Sequence, residues 1–280
     1  MSIYYPFPPV TDESCRMRKI IALEGMEMFA TGSNQPMVIL GIDESDGVKG
    51  EFVVKFKAGG RMTDPSAALR EICGAYIARE IGLDVVEPVQ IIVSEPFTQS
   101  MIGHALWAVC TASMGNNYGS RYVAKMPSLK PADCLTETQL HIGKKIFAFD
   151  AMIMNFDRSN AKPNMLTDGE KIVLIDHEVA FAFTMALPWV LPNAQPWILD
   201  KADREKMKQH YFWPHLVGRN VTFSEFNDDF ASLNEEFWRN LRSRIPPEWS
   251  TNQIDRIQPY ISEIVNHRAE FFDDLRLLVS

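Results

Sequence analysis

Through the first third of the chain, apolar residues alternate with polar ones or run together in short bursts. Lys19–Leu23, Met37–Ile42 and Phe52–Phe56 are rich in β-branched and aromatic residues, the composition of a pleated, partly buried surface. Thr31-Gly32-Ser33-Asn34 and Asp43–Gly50 separate them, so the pattern predicts an antiparallel meander. The period then changes from 2 to about 3.6. Leu69, Ile72, Cys73, Tyr76, Ile77 and Ile81 fall on one helical stripe, with Ser66 placed to cap it and Gly82 to end it. Val85–Val93 and Ala105–Thr111 return to strand-like composition.

Beyond Pro131 the helical period takes over. Glu137–Met154 reads as a helix, Asn155–Pro163 as a polar loop and Lys171–Ile175 as a brief strand. From Asp200 onward helices dominate, with Ser224 expected to cap one over Glu225–Arg244 and an amphipathic stretch over Ile261–Leu278. The fold class expected is α+β: a β-rich amino-terminal lobe, residues 1–112, and a helical carboxy-terminal lobe, residues 113–280. A bilobal nucleotide-binding enzyme has this order, with its ligand in the cleft between lobes. Fold class alone does not establish the chemistry.

Composition narrows the partners. At 280 residues, 46% apolar and 11% aromatic, the chain has ample material for a packed core. A net charge of −8 provides no global field for nucleic acid, which is set aside as the main partner. Cys15, Cys73, Cys110 and Cys134 form no C-x-x-C pair and have no histidine at zinc spacing, which points to reduced, mostly buried thiols. The first ten residues lack the basic start and apolar core of a signal peptide, so a cytoplasmic location is expected. Val179–Leu191 is uncharged and strongly apolar, but it is too short to span a bilayer and Pro188 and Pro192 break it. It reads as a loop packed on the helical part beside an acceptor groove, without membrane insertion.

The chemistry concentrates in one segment. Asn155-Phe156-Asp157-Arg158 leads to Pro163-Asn164-Met165-Leu166 and then to Lys171-Ile172-Val173-Leu174-Ile175-Asp176-His177. An acid and an amide in one loop, followed by a short strand ending in another acid, can bring three oxygen donors around one point, as Mg²⁺ and a transferring phosphoryl group require. Asp157 is suited to orient or deprotonate an attacking hydroxyl, Asn164 to offer a neutral oxygen to a metal, and Asp176 to bridge a metal to phosphates. Taken singly, these residues also suit a hydrogen-bonded turn and a helix cap. Upstream, Lys55 and Lys57 share a face of the Glu51–Lys57 strand, and either can pair with phosphates, Lys55 being favoured by its apolar flanks. Glu71 on the following helix can hold it. No Walker A loop or G-x-G-x-x-G occurs, and Gly32 and Ser33 form the one glycine turn before this strand placed to donate to phosphates. His210 and His215 have no acidic partner at metal spacing and read as packed or surface histidines.

In this order the motifs resemble the HipA-like kinases, particularly short stand-alone members. The resemblance rests on Phe52-Val53-Val54-Lys55-Phe56, the Glu71 helix leading into Ile81-Gly82-Leu83-Asp84-Val85, Tyr118-Gly119-Ser120-Arg121-Tyr122, the Asp157 and Asn164 segments, and Leu174-Ile175-Asp176-His177. It spans about residues 32–183. It implies a protein-kinase-like fold, ATP between lobes, Lys55 on the phosphates, Asp157 as catalytic base and Asn164 with Asp176 on Mg²⁺. The strand expected at Ala108–Ala112 would be the hinge against adenine, with Ala108, Cys110 and Ala112 lining it. Two departures stand out: Asn164 lies seven positions after Asp157 where the usual kinase loop has five, leaving Asn160 as a rival amide, and His177 stands where protein kinases have Phe. The acceptor implied is a protein Ser/Thr hydroxyl, with a lipid or small molecule, or an inactive kinase-like interaction module, as alternatives.

Overall fold

The computed structural model describes residues 4–29, 36–185, 193–249 and 252–280. The meander is present as β1 (Arg18–Met28), β2 (Met37–Asp43) and β3 (Lys49–Lys55), paired antiparallel in sequence order. Two later strands, β4 (Pro88–Val93) and β5 (Gly115–Arg121), complete a closed barrel in the order β1-β2-β3-β5-β4. The closing contact is the parallel pairing of Arg18–Ile21 with Val89–Ile92. Closure removes the open sheet edges that a five-stranded sheet would otherwise expose. The barrel extends past residue 112 to Arg121. Its interior is filled by Ile20, Ile39, Phe52, Val54, Val89 and Ile91, the inward half of each alternating strand.

Residues 105–111 are not a strand. After β4 come two short helices, α2 (Glu95–Ser100) and α3 (Trp107–Ala112), and Phe97, Met101, Leu106 and Cys110 pack into the barrel core. The spacing of Leu106 and Cys110, four apart, suits one helical face, whereas the β-branched and aromatic content of the segment had suggested a strand. Ala108 and Ala112 are exposed and Cys110 is buried at the barrel end. The strand geometry on which their role as an adenine-facing hinge was based is therefore absent.

Helix α1 (Pro65–Glu80) is buried around almost its whole circumference, as expected of a helix sandwiched between layers. Its N-cap is Asp64, whose carboxylate accepts from Ser66 N at 2.9 Å, so Ser66 is not the cap. Gly82, at φ +79°, follows its end as expected. One large core joins α1 to the helical part through Ile72, Cys73, Tyr76 and Ile77, with Phe149 of α4 (Glu137–Met152) and Trp238 among their companions.

A second, two-stranded sheet follows α4. β7 (Ile172–Leu174) was expected; its partner β6 (Met165–Thr167) was not, and the pair brings Met165 opposite Leu174. The stretch after Asp200 holds α5 (Lys201–Met207), α6 (Trp213–Leu216), α7 (Asn227–Ala231), α8 (Glu235–Arg244), α9 (Ile254–Asn266) and α10 (Arg268–Val279). The helix expected over Glu225–Arg244 is broken in two, because Asn234 caps α8 by accepting from Glu236 N and Phe237 N. The last amphipathic stretch likewise divides at His267. Of the apolar segment at Val179–Leu191, residues 186–191 lie outside the described residues. The described part packs against α9, where Phe183 stacks on Tyr260 with ring centroids 4.1 Å apart. No helix among the described residues is long and apolar enough to cross a membrane.

The cap assignment is directly testable. Asp64→Ala should lower the unfolding free energy by about 1 kcal/mol, while Ser66→Ala should leave it within about 0.5 kcal/mol, both read from urea denaturation. The reverse ranking would reinstate Ser66.

Candidate active site

Lys55 leaves β3 on the side opposite the barrel interior and meets the buried α1. Its ammonium donates to Glu71, to Asp176 Oδ1 at 2.7 Å and to Glu178 Oε2 at 3.0 Å. Lys57 lies beyond the strand end and donates to the Met114 carbonyl instead. The two lysines are thus separated by geometry, and the acid cluster belongs to Lys55.

Burial alone would lower the pKa of Lys55, but Glu71, Asp176 and Glu178 outweigh it and hold the ammonium well above its ordinary value. The strain falls on Glu71. Burial pushes its carboxyl up to about 7; Lys55 pulls against that, and the neighbouring Asp176 and Glu178 add to it. For Asp176 burial also pushes upward, but Lys55 and Lys162 prevail and hold it below the usual carboxylate range.

Asp176 opens the segment after β7, and α1 grips that segment at three points. Glu71 Oε2 accepts from His177 N at 2.8 Å, Arg70 Nε donates to the Glu178 carbonyl at 2.5 Å, and Gly74 makes room for the His177 ring. A Cβ on Gly74 would lie 2.6 Å from that of His177, closer than such atoms approach. Arg70 and Glu71 therefore serve the same segment, although they leave the helix in different directions. His177 is buried and held neutral: burial and the Arg158 guanidinium lower its pKa to about 3.

Lys162 joins the remaining acids. Its ammonium lies 2.6 Å from Asp157 Oδ2 and 2.9 Å from Asp176 Oδ2. Asn164 donates through Nδ2 to the same Asp157 oxygen at 3.2 Å. Asn160 is exposed in the loop, so Asn164 is the amide that stands with the acids. Gly32 and Ser33 lie outside the described residues. The structure thus links Lys55, Glu71, Asp157, Asn164 and Asp176 in one connected network. It adds Glu178 and Lys162, which sequence reasoning missed.

The donor set suits a hard divalent cation. Asp157, Asn164 and Asp176 offer carboxylate and amide oxygens, and the Lys162 ammonium between two of them marks a point where positive charge is stabilised. Asn164 and Asp176 stand at φ +51° and +63°, each such non-glycine residue costing about 1–3 kcal/mol. That cost is borne at two residues of the charged network. Behind them lies a second, fully buried group: Asp150 of α4 accepts from Asn155 at 2.9 Å, from Arg158 Nε at 2.6 Å and from His210 Nε2 at 3.0 Å. Phe212 N donates to His210 Nδ1 at 3.2 Å, which leaves the ring proton on Nε2 for Asp150.

The opposite shifts of Glu71 and Asp176 give a pH signature. Glu71, raised in the fold, contributes stability that is full below about pH 4.5 and lost as pH rises through about 7. Asp176, depressed in the fold, contributes stability above the ordinary carboxylate range that is lost on acidification. Between about pH 5 and 7 the Glu71 contribution falls as pH rises, while His177, His210 and His215, all lowered in the fold, contribute stability that rises through the same window. Urea denaturation at pH 5, 6 and 7 should show stability rising more steeply with pH in Glu71→Gln than in the wild-type protein, the difference being the Glu71 contribution. Equal slopes would show that Glu71 does not titrate in this window.

Comparison with known families matches residues 29–271 to the HipA-like kinases. No curated protein matches the chain. The match covers most of the sequence and every residue of the charged cluster, so the chain belongs to the HipA-like kinase family, a family of kinase-type phosphotransferases.

Proposed function

We propose that this protein transfers the γ-phosphoryl group of ATP, with Mg²⁺, to a Ser or Thr hydroxyl of a protein. The observation that carries the reading is the continuous chain of charges from Lys55 through Asp176 and Lys162 to Asp157. On this reading the barrel and α1 form one lobe, the helical part the other, and ATP lies between them.

The division of labour follows from charge and position. Lys55, held by Glu71, exchanges carboxylate contacts for the α- and β-phosphates. Asp157, with its side chain 32% exposed, is the accessible acid and accepts the proton of the attacking hydroxyl. Asn164 and Asp176 would hold Mg²⁺, which when bound supplies charge neutralisation on the phosphates. Lys162, resting on both Asp157 and Asp176, has the reach to follow charge from the acids to the transferring group. The family favours catalysis over an interaction scaffold, and the coexistence of Lys55, Asp157, Asn164 and Asp176 gives each role a chemically competent residue.

Four variants test the assignment through ATP titration and turnover. Asp157→Ala should reduce turnover at least about a hundredfold with ATP binding largely kept. Asp176→Ala should also weaken Mg²⁺-dependent binding. Lys55→Met should raise the ATP dissociation constant and cut turnover, whereas Lys57→Met should change little. Mass spectrometry of labelled acceptors then separates phosphoserine or phosphothreonine from a lipid or small-molecule product. Near-normal turnover in Asp157→Ala would overturn the base, and damage from Lys57→Met alone would overturn the choice of lysine.

A further inference from the structure

Arg158 follows the proposed base in sequence but points away from the cleft. Its side chain is completely buried, and its guanidinium makes four contacts. Nε donates to Asp150 Oδ2 at 2.6 Å, Nη1 donates to the Asn164 carbonyl and more weakly to that of Ile175 at 3.4 Å, and Nη2 faces His177 Nε2 at 3.2 Å. Nη2 can only donate, so His177 accepts through Nε2. One rigid planar group thus touches the backbone of Asn164, the residue before Asp176 and the residue after it.

Those contacts fall at or beside two left-handed positions of the backbone. Asn164 and Asp176 are both left-handed, and such residues persist only when their surroundings fix them. The Asn164 carbonyl also accepts from Ile175 N at 3.1 Å, so Asn164 is already tied to the residue before Asp176, and Arg158 locks that tie from behind. Stability alone does not explain a buried ion pair, since apolar residues of similar volume often do as well or better. A fork of N–H groups in fixed directions does something an apolar side chain cannot. Asp150 aims the fork, and Asp150 is itself held by Asn155 and His210.

We propose that Arg158 is a positioning residue for cation binding, a strut that sets the backbone of Asn164 and Asp176 so that their oxygens converge, with Asp150 and His210 as its footing. The inference rests on the reading of Asn164 and Asp176 as the metal-binding pair. It assigns a task to a buried network that touches neither nucleotide nor acceptor.

The test is Mn²⁺ binding, read by electron paramagnetic resonance of free Mn²⁺ with ATP present, alongside ATP binding without metal and a thermal melt. Arg158→Lys keeps the charge but loses the fork. It should weaken Mn²⁺ binding about tenfold or more while metal-free ATP binding stays close to wild type. His210→Gln, which keeps a donor for Asp150, should weaken it by a smaller factor in the same direction, and it decides the matter if Arg158→Lys does not fold. Phe230→Leu, in the α7–α10 core, serves as a control that lowers the melting temperature without touching the site and should keep wild-type Mn²⁺ affinity. Wild-type affinity in a folded Arg158→Lys, or no change in His210→Gln where that variant decides, overturns the strut, as does an equal loss in Phe230→Leu. A wild-type protein that binds no Mn²⁺ with ATP overturns the metal-ligand assignment itself, and this proposal with it.

Discussion

A buried ammonium has to be answered by carboxylates, and Lys55 sets that condition for the whole site. Isolated, its charge would cost several kcal/mol to remove from water. Three acids answer it from two places in the chain: Glu71 on α1, and Asp176 and Glu178 just after β7. Acid oxygens so close together, within 4.8 Å of one another, would repel without a cation among them. The lysine and its acids therefore require one another, and satisfying both fixes the approach of β3, α1 and the β7 end. Asp176 passes the requirement on through Lys162 to Asp157, while the rise of Glu71 to about 7 comes first from its burial, which Lys55 only partly offsets.

Much of this was legible because local pattern and chemistry agree along residues 155–177. The β3 alternation, the α1 stripe and the short run ending at Asp176 each have a period that needs no tertiary information, and the family resemblance placed Lys55, Glu71, Asp157, Asn164 and Asp176 together. Glu178 and Lys162 were not legible, because nothing in a loop lysine or in an acid two residues after another says which neighbour it will face. The same holds for Asp150 and His210. They are sixty residues apart and meet only because residues 210 and 211 return to the loop at residues 155–163, with Tyr211 N donating to the Arg158 carbonyl at 2.9 Å.

The misreadings share a cause. Trp107–Ala112 has strand-like composition, but its apolar residues plug the end of a barrel whose fifth strand follows it; short apolar runs are ambiguous between helix and strand until their partners are known. Asp64 displaced Ser66 as cap because either residue can accept from an early helix N–H and only the path of the chain decides which. The break at Asn234 follows the same logic, since a good cap in the middle of a helical stripe starts a new helix.

The two cores divide the charged cluster between them. Lys55 is carried by the barrel strands, whose interior forms one apolar cluster, while Glu71 belongs to α1, which is packed in the larger cluster with the helical part. The ion pair therefore links the two apolar clusters. A second link lies at the far side of α1, where Glu248 accepts from Gln90 and Asn116 on the barrel and Trp249 meets Tyr118 edge-on. The connection is not purely polar, because Tyr118 of β5 is itself buried in the larger core with α1; the Lys55 contacts are the part that can be exchanged without unpacking side chains. On the proposed reading this is what admits a nucleotide: phosphate oxygens carry the same sign as the carboxylates that Lys55 already holds, so the lysine can trade one set of anionic partners for another without its charge ever being left unpaired.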